Sequence, residues 1–333
     1  MLRRVRYGNS NWLGPVNDPE TEIGLRYLSR GCRLRNELPL NGATTTNPGA
    51  SKAAISFHYD LGNEFFRLFL DQECCYSCAM YENESDSLET AQQRKLEYHI
   101  QQARAQGAAR VLDIGCGWGA LQKKLVREHG VKLAIGLTLS DNQAEWIRSM
   151  GVPGVEVRVE SWSDHVPTAP YDSIISIGAF EHFARPSSRA VRVRGYRDFF
   201  ERCYGLLNPG GWMSLQTIAL GTMDRGLEGQ FVAENIFPES DLPRLAEIAD
   251  ASEGIFEIVS VRNDRADYKR TNHEFRDRLR KNWDAAVSLV GEETVRTFDK
   301  YFRVSAAGFS RGTTNLYRIT FRRLAHPRFD IAL

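Results

Sequence analysis

The sequence predicts an α/β fold: a doubly wound, mostly parallel sheet with an antiparallel edge strand, an N-terminal helical cap and a helical lid insertion. Three observations predict it. Strand-length apolar runs alternate with amphipathic helical stretches from residue 108 onward, and such alternation implies right-handed crossovers with helices on both faces of the sheet. The first run ends in a glycine-rich turn that opens a helix. A late pair of strand-like runs supplies an antiparallel edge.

Composition narrows the class further. The 333 residues are 42% hydrophobic and 26% charged, an ordinary globular balance. With 43 basic and 42 acidic residues the net charge is +1, so nothing global selects a nucleic acid, and any anionic partner must be met by a local patch. Six cysteines lack the spacing of a disulfide scaffold, and three crowd together at Cys74, Cys75 and Cys78. A chain of this length needs no staples, so a reducing cytoplasm is the expected setting. Cys75-x-x-Cys78 has the spacing of a zinc half-site, but no second ligand pair follows and no metal is expected. The start, MLRRVRY, carries charge with no apolar run after it and does not read as a signal peptide. No stretch approaches the roughly 18 apolar residues of a membrane span.

The elements follow in order. Residues 1–54 read as an extension and linker: arginines beside Leu25, Tyr27, Leu28 and Leu34 suggest a short amphipathic helix, and LNGATTTNPGAS over 40–51 is turn-rich. Residues 55–107 read as the helical cap. An aromatic-rich segment (Phe57, Tyr59, Phe65, Phe66, Phe69) turns helical from Asn63, and a polar-faced helix follows over 87–106 with Ser87 as its N-cap. The core is expected over 108–333. Strands are predicted at 110–114, 132–137, 155–159, 173–177, 212–218, 255–261 and 314–321. Helices are predicted at 121–129, 142–150, 196–207, 272–290 and 292–303, with a helical insertion near 219–252.

Strand 110–114 runs into Asp113-Ile-Gly115-Cys-Gly117-Trp-Gly119 and then a helix. Glycines in such a turn take positive φ and let the backbone approach a ligand, while the helix start presents free N–H groups. The spacing alone also fits a dinucleotide fingerprint. Two details separate the readings. Asp113 precedes the first glycine, within reach of the ammonium group of S-adenosylmethionine, and the second strand ends in Gly136-Leu-Thr-Leu-Ser140 where an NAD site carries an acid for the ribose. Both point to S-adenosylmethionine.

Several further motifs appear in a fixed order: Phe57-His-Tyr-Asp-Leu-Gly-Asn-Glu-Phe-Phe66, Tyr76-Ser-Cys-Ala79, the glycine turn, Gly136-Leu-Thr-Leu-Ser-Asp-Asn-Gln143, and Ser176-Ile-Gly-Ala-Phe-Glu-His-Phe183. In these the chain, from about residue 55 to 322, resembles the cyclopropane-fatty-acid synthase family, which includes the mycolic acid methyltransferases. The resemblance implies a class I methyltransferase sheet. It implies that Tyr76 and Ser77 close over the methionine end of the cofactor and that Asp113, Gly115, Gly117, Trp118 and Gly119 hold that end. Thr138 and Gln143 fall at the ribose and Trp162 and Ser163 beside the adenine, with Leu139, Ser161 and Ile177 also among the cofactor-binding positions. Ser163 stands where members often carry an acid.

The resemblance also implies a chemistry. Family enzymes add a carbon to a C=C bond: the alkene takes the sulfonium methyl, and a bound bicarbonate removes a proton from the resulting cation. Positions around the bicarbonate correspond to Cys78, Glu181, Gln216, Ile218 and Tyr268, with His182 next to the carboxylate. Gln216 replaces the histidine of the best-known members, and an amide donates to an anion but carries no proton. Ser305 stands near a late cysteine of the mycolic acid enzymes. The resemblance therefore carries methyl transfer further than ring closure.

Simpler readings stand beside these. Cys78 also fits a small core residue, His182 a packing residue, and Trp118 and Trp162 plain packing. Arg185, Arg189, Arg192, Arg194 and Arg197 follow the Glu181 motif as an insertion; they read either as a solvated face or as a patch for a phosphate, a carrier protein or a membrane surface. The segment 219–237 is shorter than the corresponding lid of the family's lipid enzymes. Three functions are compatible with these residues: carbon transfer to an alkene of an acyl, lipid or isoprenoid-like substrate; C- or N-methylation of a small specialised metabolite; and cofactor binding without turnover. The first is the leading expectation.

Overall fold

Seven strands form one sheet in the order β3-β2-β1-β4-β5-β7-β6. The computed structural model describes residues 51–52, 59, 61–225, 236 and 240–329. The chain enters through α1 (Asn63–Arg67) and α2 (Leu88–Gln102), then β1 (Arg110–Ile114), α3 (Ala120–Glu128), β2 (Leu133–Thr138), α4 (Asp141–Ser149) and β3 (Val155–Val159). It returns to the middle of the sheet with β4 (Tyr171–Ile177), a short 3-10 turn at Phe180–His182, α5 (Arg189–Leu206) and β5 (Leu207–Leu220). Helix α6 (Leu245–Ser252), β6 (Phe256–Asn263), α7 (Arg265–Lys281), α8 (Trp283–Val290), α9 (Glu292–Arg311) and β7 (Thr314–Arg323) complete it.

Strands β1 to β5 are mutually parallel, and β7 runs antiparallel between β5 and β6. All seven predicted strands are present, as is the class I methyltransferase sheet with its antiparallel edge. The alternation of side chains along each strand feeds two cores. Leu112, Ile114, Ile135, Leu137 and Ile174 join one cluster, while Val111, Ala134 and Ile175 point to the other face and pack with Leu96, Ile100, Leu121 and Leu125. The winding reverses between β1 and β4. In an open α/β sheet the ligand crevice lies beyond the carboxyl ends of the strands at that reversal.

A third cluster covers this crevice. Phe65 and Phe66 of α1 and Phe69 just after it meet Phe298 and Phe302 of α9 and Phe275 of α7, with Phe65 and Phe298 edge to face at 5.0 Å. At about 1.5–3 kcal/mol per fully buried Phe, these rings fasten the cap.

Two helix starts differ from expectation, for one reason. Helix α5 starts at Arg189 with Ser188 as N-cap, so most of the supposed insertion is its first two turns. Helix α7 starts at Arg265, well before residue 272. In both, arginine-rich segments look like loops until their partners are known. Ser87 caps α2 as predicted, its side chain accepting from Thr90 N–H. Of the insertion near 219–252, Ala219 and Leu220 belong to β5 and 245–252 to α6, while 226–235 and 237–239 lie outside the described residues, as do the predicted helix near 25–35 and the linker at 40–50.

Candidate active site

The glycine turn joins β1 to α3 as the sequence requires. The N–H groups of Gly115 and Cys116 both donate to Leu137 C=O. Gly115 has φ +82°, and a Cβ there would lie 2.3 Å from Ala179 Cβ. Gly117, at φ +53°, faces open space in which a side chain would stand. Gly119 serves differently from expectation. It does not line the cavity; it is the left-handed N-cap of α3, where a Cβ would strike Ile147 at 2.8 Å.

The turn forms the floor of a cavity. Tyr76, Ser77, Asp113, Gly115, Gly117 and Trp118 line one end, Thr138, Leu139, Gln143, Ser161 and Trp162 the other, with Ile177 and His182 on the β4 side. Asp113 is buried and its carboxylate has no hydrogen-bond partner among the described residues. Desolvation pushes it up to about 7, with Lys95 pulling the other way. Lys95 is itself 2% exposed and donates to Ser77 Oγ at 2.9 Å. Gln92, one turn earlier on α2, donates to the carbonyls of Cys75 and Ser77. The Tyr76–Ser77 loop is thus fastened to α2. At the far end Thr138 Oγ1 donates to Gln143 Oε1 at 2.7 Å. Trp118 and Trp162 pack and line the cavity at once: Trp118 Nε1–H donates to Asn63 at 2.7 Å, and Trp162 meets Phe183 and Phe199.

A second group sits at the carboxyl end of β5. Gln216 pairs in register with Ile177 of β4 and with Arg318 of β7. Glu181, in the turn after β4, accepts the Ile218 N–H with Oε1, while Oε2 is buried with no partner among the described residues. Burial pushes this carboxyl up to about 7, the Ile218 N–H pulling it back. Tyr268 stacks on Phe309 at 4.6 Å and packs with Ile218 and Cys78, and burial raises its hydroxyl well above the usual range. The structure thus gathers Glu181, Gln216, Tyr268, Cys78 and Ile218 around one region.

Cys78 is 0% exposed, burial pushes its thiol up to about 12, and Sγ contacts Ala79 C=O at 3.1 Å. Such a group is neither nucleophile nor base. His182 bonds Ser240 Oγ through Nδ1 at 2.6 Å, and desolvation drops it to about 4, so it stays neutral. It faces the cavity end, not the β5 group.

Buried Arg318 organises this region. Its Nε donates to Gln216 Oε1 at 2.9 Å, Nη1 pairs with Asp264, and Nη2 donates to the carbonyls of Cys78 and Ala79. Arginine only donates, so the Gln216 atom facing it is oxygen. His99 Nε2, 3.3 Å from the same oxygen, must then carry a proton, and its Nδ1 accepts from Ser214 at 2.8 Å. Burial, with Arg318 and Lys95 nearby, holds His99 neutral. The Gln216 amide nitrogen has no partner among the described residues and remains the available donor.

The profile of the mycolic acid cyclopropane synthetase family matches residues 47–319. The chain belongs to that family. A probable fatty acid methyltransferase of Pseudomonas putida is 31% identical over 277 residues, covering 80% of this chain and 68% of the relative. Cyclopropane mycolic acid synthase 2 of Mycobacterium bovis is 33% identical over 283 residues, covering 80% and 90%. A solved mycolic acid cyclopropane synthase, complexed with SAH and CTAB, superposes with a TM-score of 0.75 at 31% identity, covering 83% of this chain and 99% of the other.

The protein is therefore a methyltransferase-class enzyme whose cofactor is S-adenosylmethionine. The cavity fits that group on its own terms: an unpartnered buried carboxylate at one end suits an ammonium, and the space beside Gly117 suits close backbone approach. Sequence reading missed Lys95, Gln92, His99, Arg318 and Glu160. The first three recur at helical spacing on one face of α2, beside Leu88, Ala91 and Leu96, which was the available signal.

The arginine run is not an open positive patch. Arg192 is buried against Glu247 and Asp241, and Arg197 against Glu201 and three backbone carbonyls. Arg189 pairs with Asp250 and Arg194 with Asp198. Among the described residues no helix is long and apolar enough to cross a membrane, and no cluster of three or more His, Cys, Asp or Glu is placed to hold a metal.

Proposed function

We propose that the protein transfers a one-carbon unit to an alkene carbon of an acyl, lipid or isoprenoid-like acceptor. The observation that carries this is Glu181: a buried carboxylate with one oxygen unpartnered among the described residues, beside Ile218 and Tyr268 and next in sequence to His182 of the cofactor cavity. Bound S-adenosylmethionine supplies an electrophilic methyl group. Asp113 would hold its ammonium, Gly115 and Gly117 its carboxylate end, Thr138 and Gln143 its ribose, and Ser161 and Trp162 its adenine. Tyr76 and Ser77 close the methionine end, braced by Lys95.

Positive charge then develops on the acceptor. The Glu181 carboxylate and the Tyr268 ring face offer it negative potential in a site from which water is excluded. Proton removal needs an acceptor group held nearby. Bicarbonate fits as far as donors allow: the Gln216 amide and the Tyr268 hydroxyl are without partners among the described residues, while the Ile218 N–H is already engaged by Glu181. The cradle is thus weaker than one with a protonated imidazole, and methyl-branched or alkene products should form at least as often as cyclopropanes. Contact with a membrane surface or carrier protein is left to Arg185, Arg189 and Arg194, the exposed members of the run.

The test is mass spectrometry of lipids and extracts from cells with and without the enzyme, followed by NMR of any species gaining 14 Da (CH2, by the chemistry of the transfer). A gain on an amine or hydroxyl oxygen, and none on carbon, would overturn the reading.

A further inference from the structure

The position that family members often fill with an acid beside the adenine is Ser163 here. Its hydroxyl turns to Ser161 Oγ at 2.9 Å and Asp164 at 3.2 Å, and it does not line the cavity. An acid does line this end, three residues earlier. Glu160 follows β3 directly and forms the wall with Ser161 and Trp162.

Glu160 is held as a recognition group is held. Its Oε1 is 2.6 Å from His165 Nδ1, and His165 Nε2 is 2.7 Å from the Tyr171 hydroxyl. The His165 side chain is 0% exposed. One neutral tautomer satisfies the chain throughout: Tyr171 O–H donates to Nε2, and Nδ1–H donates to the carboxylate. Desolvation lowers the histidine's proton affinity, which agrees with that form. Oε2 of Glu160 has no partner among the described residues, and the side chain is 31% exposed, at the cavity wall.

Strand order says which part of the cofactor arrives there. Asp113 is the penultimate residue of β1, Thr138 ends β2 and Glu160 follows β3, and these strands are adjacent in the sheet. At ~4.8 Å per strand, β3 lies about 10 Å from β1. A cofactor whose ammonium meets Asp113 and whose ribose lies over β2 brings its nucleobase to β3. The base offers one strong donor, the 6-amino group, and the wall offers one anchored acceptor.

We propose that Glu160, positioned by His165 and Tyr171, accepts a hydrogen bond from the adenine 6-amino group and sets nucleobase specificity, replacing the acid absent at Ser163. The inference rests on S-adenosylmethionine as cofactor and is independent of the acceptor. A failure here therefore leaves the proposed carbon transfer untouched, and the reverse holds.

The test is calorimetry with two product analogues: S-adenosylhomocysteine and its purine counterpart, in which hydrogen replaces the 6-amino group. The wild type should bind the purine analogue about tenfold or more weakly, as expected for losing a hydrogen bond to a charged group. Glu160→Met should lose that discrimination, binding both within about threefold of each other. Glu160→Gln, keeping a neutral acceptor, should fall between. Adding Ser163→Glu to Glu160→Met should restore part of the preference. Equal affinity of the wild type for the two analogues overturns the proposal, whether or not any variant folds. So does a Glu160→Met protein that binds both more weakly by the same factor, since that marks a structural role.

Discussion

Replacing Asp113 with asparagine should move stability and cofactor affinity in opposite directions. The carboxylate is 3% exposed, has no hydrogen-bond partner among the described residues, and is pushed up to about 7 by desolvation. Its unfolded-state value is near 3.9. Ionising it in the folded, ligand-free protein therefore costs on the order of 4 kcal/mol, at ~1.4 kcal/mol per pH unit. The sign follows from linkage. The folded form holds this proton more tightly than the unfolded form, so stability is lost as pH rises from about 4 to 7 and stays lost above. Asp113→Asn removes that cost only where the acid is ionised. Loss of the carboxylate beside Lys95 offsets part of the gain, leaving about half, or ~2 kcal/mol, and a rise of several degrees in Tm at pH 8. At pH 5, nearer the value where both states are protonated, the rise should be small. Binding responds the other way. An ammonium that loses a charged acceptor forfeits ~1.5–3 kcal/mol, so S-adenosylhomocysteine should bind roughly 10- to 150-fold more weakly at pH 8. Thermal melts at the two pH values and calorimetry at pH 8 test this directly. A Tm gain equal at pH 5 and pH 8, or affinity within threefold of wild type, refutes the assignment of Asp113 as an unpaired anion waiting for its partner.

Glu181→Gln should lower turnover by orders of magnitude while cofactor affinity, measured by calorimetry, stays within about threefold; that split marks an interaction made in the transition state. Because burial places this carboxyl near 7, the wild-type rate should climb as pH passes through about 7 and the anion forms, and the variant should be low and flat. The five described cysteines are free, and burial raises their thiols well above the usual range, Cys74 and Cys78 to about 12. A thiol reagent at pH 8 should label them slowly in the native protein and find all six cysteines in denaturant; four or fewer without added oxidant, or bound zinc, would contradict this.

Elements with a strong apolar period were legible in the sequence, and buried ionic ones were not. The strands from 110 to 177 announce themselves through Val, Leu and Ile, which both faces of a parallel sheet require. Helix α5 hid its first two turns because Arg189, Arg192 and Arg194 read as solvated, and only the fold shows Arg192 opposite Glu247 and Asp241. The polar face of α2 hid Gln92, Lys95 and His99 in the same way, since a polar residue inside is recognisable only by its partners. The turn from Asp113 to Gly117 was legible because the chemistry of close approach demands glycine. Arg318 had no local signal at all: its four ties reach Cys78, Ala79, Gln216 and Asp264, all distant in sequence.

Those ties have a consequence for how this site can change. An imidazole at position 216 would need to gain a proton to bring a positive charge to an anion, and it would do so with a permanent guanidinium bonded to the same spot. Like charges that close in a buried setting suppress the very protonation that the substitution was meant to provide. Removing Arg318 alone is no remedy, because Asp264 at the head of α7 would lose its buried partner and keep only the half-exposed Arg262, and the backbone at Cys78 and Ala79 would lose its tether. Positions 216 and 318 are consequently coupled: a change from amide to imidazole at one has to be met by a change at the other.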